Sequence, residues 1–253
     1  MKSLLLITLI LLVGCQNYDK SEINKIGIYK EISSFKVIEY KVLKNNEKDT
    51  LRSNIFKYNN KGQLVNSKII SNKVDNIFIT DYEYNSKREL IKEITKGNKI
   101  TEPIIVDYRK QNDTLTVFQC EIFDKDDNFI YKTTGQELFN SKREMEISES
   151  KNFFIDLSTK DTIKNSETKD FYKNGFIYRT EWISFDTLMP STKYEYFRNN
   201  ENLIIKIIET KDKRAFESTM EYEFDIFGSW IKQNIFENGE LIKIKERVIE
   251  YEK

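Results

Sequence analysis

From Ser34 onward the chain alternates apolar and polar residues with a period of two. Ile38, Tyr40 and Val42 stand against Glu39 and Lys41. Phe56-Lys57-Tyr58, Tyr82-Glu83-Tyr84, Tyr194-Glu195-Tyr196, Tyr222-Glu223-Phe224 and Ile249-Glu250-Tyr251 repeat the pattern. Successive side chains of a strand point to opposite faces, so these runs predict half-buried antiparallel strands, aromatics on a covered face and charges in water. Turn signals separate them: Asn59-Asn60-Lys61-Gly62, Asn85-Ser86, Lys125-Asp126-Asp127-Asn128, Asn174-Gly175, Asn199-Asn200 and Asn238-Gly239. Asn-Gly suits a tight hairpin because both central residues need positive φ. No long segment keeps a helical period. Gln136 to Glu149 has helical propensity, but Phe139-Asn140-Ser141-Lys142-Arg143-Glu144-Met145 nearly copies Tyr84-Asn85-Ser86-Lys87-Arg88-Glu89-Leu90, and both read as a strand end and a turn.

The hairpins recur. Tyr58, Tyr84, Phe139, Tyr196, Phe224 and Tyr251 close successive strands at spacings of 26 to 28 residues, or about twice that. A unit of that size holds two strands and two turns, and such units bury their faces on their neighbours. The fold class expected is all-β: an elongated antiparallel β-meander built from repeated hairpins, curled or two-layered, over residues 35–253. The pattern does not decide whether the sheet closes, folds into two sheets or stays open.

Ahead of this body lies a different pattern. Met1-Lys2-Ser3 is basic, Leu4 to Val13 is apolar except for Thr8, and Gly14-Cys15 leads into the polar stretch Gln16-Asn17-Tyr18-Asp19-Lys20. That is the layout of a secretory signal, and its apolar run is too short for the roughly 20 residues of a spanning helix. Leu12-Val13-Gly14-Cys15 resembles the lipobox of bacterial lipoproteins. The resemblance implies removal of residues 1–14, diacylglycerol on the Cys15 thiol and acylation of the new amino terminus. Several acyl chains hold a protein firmly where one holds it marginally. Residues 15–34 then form the lipidated start and a tether. In Gram-negative lipoproteins an Asp after the cysteine favours retention in the inner membrane. Gln16 stands there, which points to the outer membrane of the cell envelope.

Composition narrows the chemistry. Apolar residues make up 39% and charged residues 32%, so a core can be buried under a heavily solvated surface. Bases and acids number 41 each, leaving no field to attract nucleic acid. Histidine is absent, which removes the commonest general base and metal ligand. With Cys15 acylated, Cys120 has no partner. In its apolar strand Val117-Phe118-Gln119-Cys120-Glu121-Ile122 it reads as a small buried hydrophobe. Asp124, Asp126 and Asn128 have calcium-loop spacing, but Phe129 and Gly135 replace the Gly and Glu that an EF-hand needs, so the segment reads as a polar turn. Glu83, Glu195, Glu223 and Glu250 read as an outer solvated face, Trp182 and Trp230 as packing residues, and Asn112-Asp113-Thr114 as a turn. No nucleophile elbow or phosphate-cradling loop is present.

The turn segments resemble the YD-repeat (Rhs-type) family, whose motif runs Tyr-Asp, two residues, Gly, one residue, Leu. Tyr58-Asn59-Asn60-Lys61-Gly62-Gln63-Leu64 has that spacing, as do Phe123 to Phe129 and Phe224 to Trp230. The Tyr84 and Phe139 copies keep the aromatic and the closing Leu90 or Met145 without the glycine. Tyr172-Lys173-Asn174-Gly175-Phe176 and Phe236-Glu237-Asn238-Gly239-Glu240-Leu241 are similar to MORN-type hairpins. The resemblance implies a β-meander.

The expected function is that of a non-enzymatic, membrane-anchored envelope lipoprotein that binds a protein or glycan partner through its sheet, with Cys15 as the lipidation site and no catalytic residue, metal or cofactor. The alternatives are a carboxylate-based glycan hydrolase, which needs two acids facing one cleft, and a spacer without a ligand.

Overall fold

Among the described residues no segment is helical, so backbone N–H and C=O groups find their partners on other strands. The computed structural model describes residues 32–251 apart from positions 46, 73–74, 99–101, 124–128, 143, 156–160 and 187–188. The signal peptide, Cys15 and most of the tether lie outside these residues, as does the Asp124–Asn128 turn.

The strands are β1 (Ile32–Val42), β2 (Lys48–Tyr58), β3 (Leu64–Ser71), β4 (Asn76–Tyr84), β5 (Leu90–Gly97), β6 (Ile104–Asn112), β7 (Leu115–Phe123) and β8 (Phe129–Phe139). They continue as β9 (Met145–Ile155), β10 (Thr162–Lys173), β11 (Phe176–Ser184), β12 (Thr192–Arg198), β13 (Ile204–Lys211), β14 (Arg214–Phe224), β15 (Trp230–Glu237) and β16 (Glu240–Tyr251). Each is antiparallel to the next, and β16 pairs back onto β1, from Ile32 opposite Tyr251 to Lys41 opposite Lys243.

All-β antiparallel architecture is therefore as expected, but the elongated, curled or two-layered form is not: the sheet is a closed barrel. An open array would leave two edges of unpaired backbone groups, and closure removes both. The first strand begins at Ile32, taking in the end of the expected tether.

The closing aromatics Tyr58, Tyr84, Phe139, Tyr196, Phe224 and Tyr251 lie at or near the last residues of β2, β4, β8, β12, β14 and β16. They share one end of the barrel with Ile32 and Tyr251, here the near end. Five equivalent turns close that end, headed by Asn59, Asn85, Asn140, Asn199 and Asp225. The Oδ1 of each accepts the backbone N–H two and four residues on. The N–H of each donates to the carbonyl four residues on. A short polar side chain can thus satisfy backbone donors that the sheet cannot.

The inward face is mixed. Ile32, Phe35, Tyr58 and Leu64 form one buried apolar cluster, and Leu90, Ile104, Val106, Tyr108, Phe118 and Cys120 form another. Elsewhere it is polar: Thr133 Oγ1 donates to Asn152 Oδ1 (2.8 Å), whose Nδ2 donates to Ser166 Oγ (3.1 Å), and Thr80 pairs with Thr95 (2.8 Å). This reverses the expected facing at β1. Glu39 points inward and is 6% exposed, while Ile38 and Tyr40 face out, half-buried. Tyr82 and Tyr222 are covered more than Glu83 and Glu223, as expected, but Phe224, at the bulge that ends β14, is 43% exposed against the expectation.

Candidate functional site

Two arrangements of charge occupy the inner wall. The first straddles the seam. Register places Glu39 between Arg52 on β2 and Lys245 on β16. Arg52 donates to Glu39 Oε2 from Nε (3.1 Å) and Nη2 (3.0 Å), and Lys243 Nζ lies 3.0 Å from Oε1. Burial pushes the Glu39 carboxyl up, but Arg52, Lys243 and Lys245 outweigh it and hold it below the usual carboxylate range. Arg247, two positions along the same face, stacks on the Trp230 ring at 3.4 Å and on Phe35 at 5.1 Å. Trp230 is thus a buried packing residue, as expected, and Trp182 is half-buried on the inner wall.

The second arrangement is a cleft of about 200 Å³ at the near end, between β5, β6, β7 and β8. Lys110, Thr116 and Glu137 share one row across β6, β7 and β8, and all three line it. Lys110 Nζ reaches Glu89 Oε1 (2.9 Å) and Asp113 Oδ1 (3.0 Å). Asp113 belongs to the Asn112-Asp113-Thr114 turn, where Asn112 Oδ1 accepts from Thr114 N and Oγ1. Deeper in, the Tyr108 hydroxyl donates to Glu93 Oε1 (2.9 Å). Glu137 is 3% exposed, and among the described residues it has no hydrogen-bond or ion-pair partner.

Burial sets the chemistry of these acids. Glu93 is pushed up to about 8 by desolvation, opposed by the Tyr108 hydrogen bond and aided by the nearby Glu137. Desolvation alone pushes Glu137 up to about 8. Glu89 goes the other way, lowered by the hydrogen bonds from Asn85 and Lys110. Its two oxygens are both engaged, and its bond to Asn85 is the one Glu144 makes to Asn140 in an equivalent turn, so it serves the turn. Cys120 is buried in the same neighbourhood, its thiol pushed up to about 12 by burial and the adjacent acids, which suppresses the reactive thiolate. No group of acids and cysteines among the described residues could hold a metal ion.

Sequence reasoning missed Glu93 and Glu137. Glu137 shares a face with Tyr131, Thr133, Gly135 and Phe139, a period-two set that was legible in the sequence. Glu93 was hidden because Ile94 beside it reads as the buried position, yet Ile94 faces out.

The outer wall carries charge along the strands. Cross-strand pairs join Lys132 to Glu121 (2.6 Å), Lys206 to Glu217 (3.0 Å) and Lys232 to Glu223 (2.6 Å). Lys169 with Glu149 is a further cross-strand pair, and Arg179 with Glu181 and Lys193 with Glu195 pair along a single strand. Ile79, Ile105 and Ile183 stand exposed between them. A bilayer-spanning barrel needs an apolar outer band about 25 Å tall, and each Lys or Arg at its midplane costs about 2–4 kcal/mol. Among the described residues, ion pairs and exposed apolar side chains are interspersed along this wall.

No family model and no curated protein matches the chain. Among solved structures it is similar to a porin-like protein from Bacteroides uniformis, at 13% identity and a TM-score of 0.51, over 87% of this chain and 96% of that one. A porin-like protein from Bacteroides vulgatus aligns at 11% identity and a TM-score of 0.43, over 88% of this chain and 99% of that one. Identity this low speaks to the fold alone, which the first comparison shares with this chain.

Proposed function

We propose that the protein is a lipid-anchored cell-envelope component whose barrel stays in water and acts as a non-enzymatic binding module for an envelope protein or glycan, without inserting as a pore. The charged outer wall carries this reading. Strands of 7 to 12 residues are long enough for many of them to cross a bilayer, so length does not separate a porin from a water-borne barrel. The ion pairs along the wall support the water-borne reading, because placing them in hydrocarbon would strip their hydration. The lipobox at Leu12 to Cys15 supplies a membrane attachment that needs no insertion of the barrel. Extending from the near end, the tether would set that end toward the membrane and leave the far end and the outer wall to partners.

Replacing Cys15 with Ser tests it. The variant is expected to leave the membrane fraction and stay folded without detergent, while mass spectrometry of the native protein finds an acylated Cys15 at its amino terminus. A Cys15→Ser protein that stayed in the membrane would mean that the barrel itself inserts. Affinity capture of the anchored protein should enrich one envelope protein or polysaccharide; capture of neither would leave the spacer reading.

One observation favours the hydrolase reading: a raised acid, Glu137, and a lowered one, Glu89, line a single cleft, as an acid and a carboxylate must in glycoside hydrolysis. Release of reducing sugar from envelope polysaccharide, abolished by Glu137→Gln, would establish it. Its absence in the wild-type protein would remove it.

A further inference from the structure

The near-end cleft holds a carboxyl that no other described residue answers. Glu137 is buried and lines the cleft without a partner among the described residues, so its carboxyl opens on the cleft and burial disfavours its charged form. The nearest base along its row, Lys110, turns instead to Glu89 and Asp113. Acids at the cleft therefore outnumber its base. Leu90 and Phe139 give the same cleft apolar walls.

This combination selects among ligands. An anion would meet surplus carboxylates. A neutral sugar would need several free donors and acceptors, yet Asn85, Glu89, Lys110 and Asp113 are already engaged with one another or with the turn backbone. A cation with an apolar body answers both the lone acid and the apolar walls.

We propose that the cleft binds a small primary ammonium group on a short apolar body, the ammonium on Glu137 and the body against Leu90 and Phe139. The ammonium could belong to a free amine or to the ethanolamine of a lipid headgroup. The site rests on reading the barrel as a binding module and is independent of the Cys15 anchor. Because burial keeps the empty site's carboxyl protonated at neutral pH, occupation by a cation ionises Glu137 and releases a proton to solvent.

The full chain in detergent solution, titrated calorimetrically with n-butylammonium and in parallel with n-butanol, tests this. Expected are saturable binding of one butylammonium per chain, heats that vary with the ionisation enthalpy of the buffer, and no binding of butanol. Glu137→Gln keeps the shape and neutrality of the buried group, so it should melt no lower than wild type while binding at least about tenfold more weakly. Competition by glycerophosphoethanolamine assigns the ammonium to a lipid headgroup; no competition assigns it to a free amine. Equal binding of butanol and butylammonium, binding unchanged by Glu137→Gln, or no binding of butylammonium overturns the site. None of these outcomes alters where the Cys15→Ser protein partitions, so the two readings fail separately.

Discussion

The ring of Phe118 lies where a side chain on Gly135 would have to be. The two residues are opposite one another on β7 and β8, and a Cβ on Gly135 would come within 2.1 Å of Phe118 Cζ and 2.4 Å of the Glu149 carbonyl oxygen. Phe118 in turn lies against Tyr108, ring centres 5.7 Å apart, and Tyr108 donates to the buried Glu93. A missing side chain on one strand thus seats a ring that positions the hydroxyl serving a buried acid two strands further on.

Gly135→Ala should therefore destabilise the barrel by about 1–3 kcal/mol, the usual cost of overpacking, because the carbonyl cannot move aside as a flexible side chain can. Urea unfolding measures it. Pairing it with Phe118→Leu should recover part of the loss, since the second change removes the nearer of the two clashes.

Glu39 joins bases from both sides of the seam. Removing one member of a charge network leaves the others uncompensated, and because Arg52 and Lys243 are each about a third exposed and partly hydrated the cost falls below the roughly 3–5 kcal/mol of a fully buried pair. Arg52, Lys243 and Lys245 would be left so by Glu39→Ala, and all three lie at the seam or one strand from it. Amide hydrogen exchange is expected to rise first along β1 and β16. A uniform rise around the barrel would contradict a role for Glu39 at the seam.

Stability should fall as pH rises from about 4.5 to about 8. The usual carboxyl value is 4.5, and in the folded barrel Glu93 and Glu137 stand at about 8. Between those values the unfolded chain has released both protons and the folded chain retains them. The stabilisation from each is complete below the unfolded value and lost as pH passes the folded one, at about 1.4 kcal/mol per pH unit per group. Urea midpoints between pH 5 and 7.5 should decline in the wild type and less steeply in Glu137→Gln. A rise over that interval would show that both acids are ionised in the folded state.

The near-end turns make a smaller prediction. In four of these turns the fourth residue falls in the left-handed region, with φ of 75° at Gly62, 66° at Arg88, 62° at Asn202 and 77° at Gly228. A β-carbon costs about 1–2 kcal/mol there. Gly62→Ala should lose about 1 kcal/mol and Arg88→Gly should gain up to a similar amount, read from thermal midpoints.

Period two and the turn residues by themselves determined that this chain makes antiparallel hairpins, because each hairpin's geometry is local: alternation sets the faces and Asn or Gly sets the reversal. Aromatics at a recurring spacing marked one end of six of the eight even-numbered strands for the same reason. Closure was decided only in three dimensions, since joining Ile32–Val42 to Glu240–Tyr251 depends on strand number, twist and the meeting of Glu39 with Lys243 and Lys245, residues some two hundred positions apart. Closure also decided which face was inside. Alternation marks two faces without saying which will be enclosed, and a partly polar interior takes Glu39, Glu93 and Glu137 inward while Ile38 and Ile94 go out. The cleft follows from that choice, because only the curved wall brings Lys110, Thr116 and Glu137 to line one space with Leu90 and Phe139.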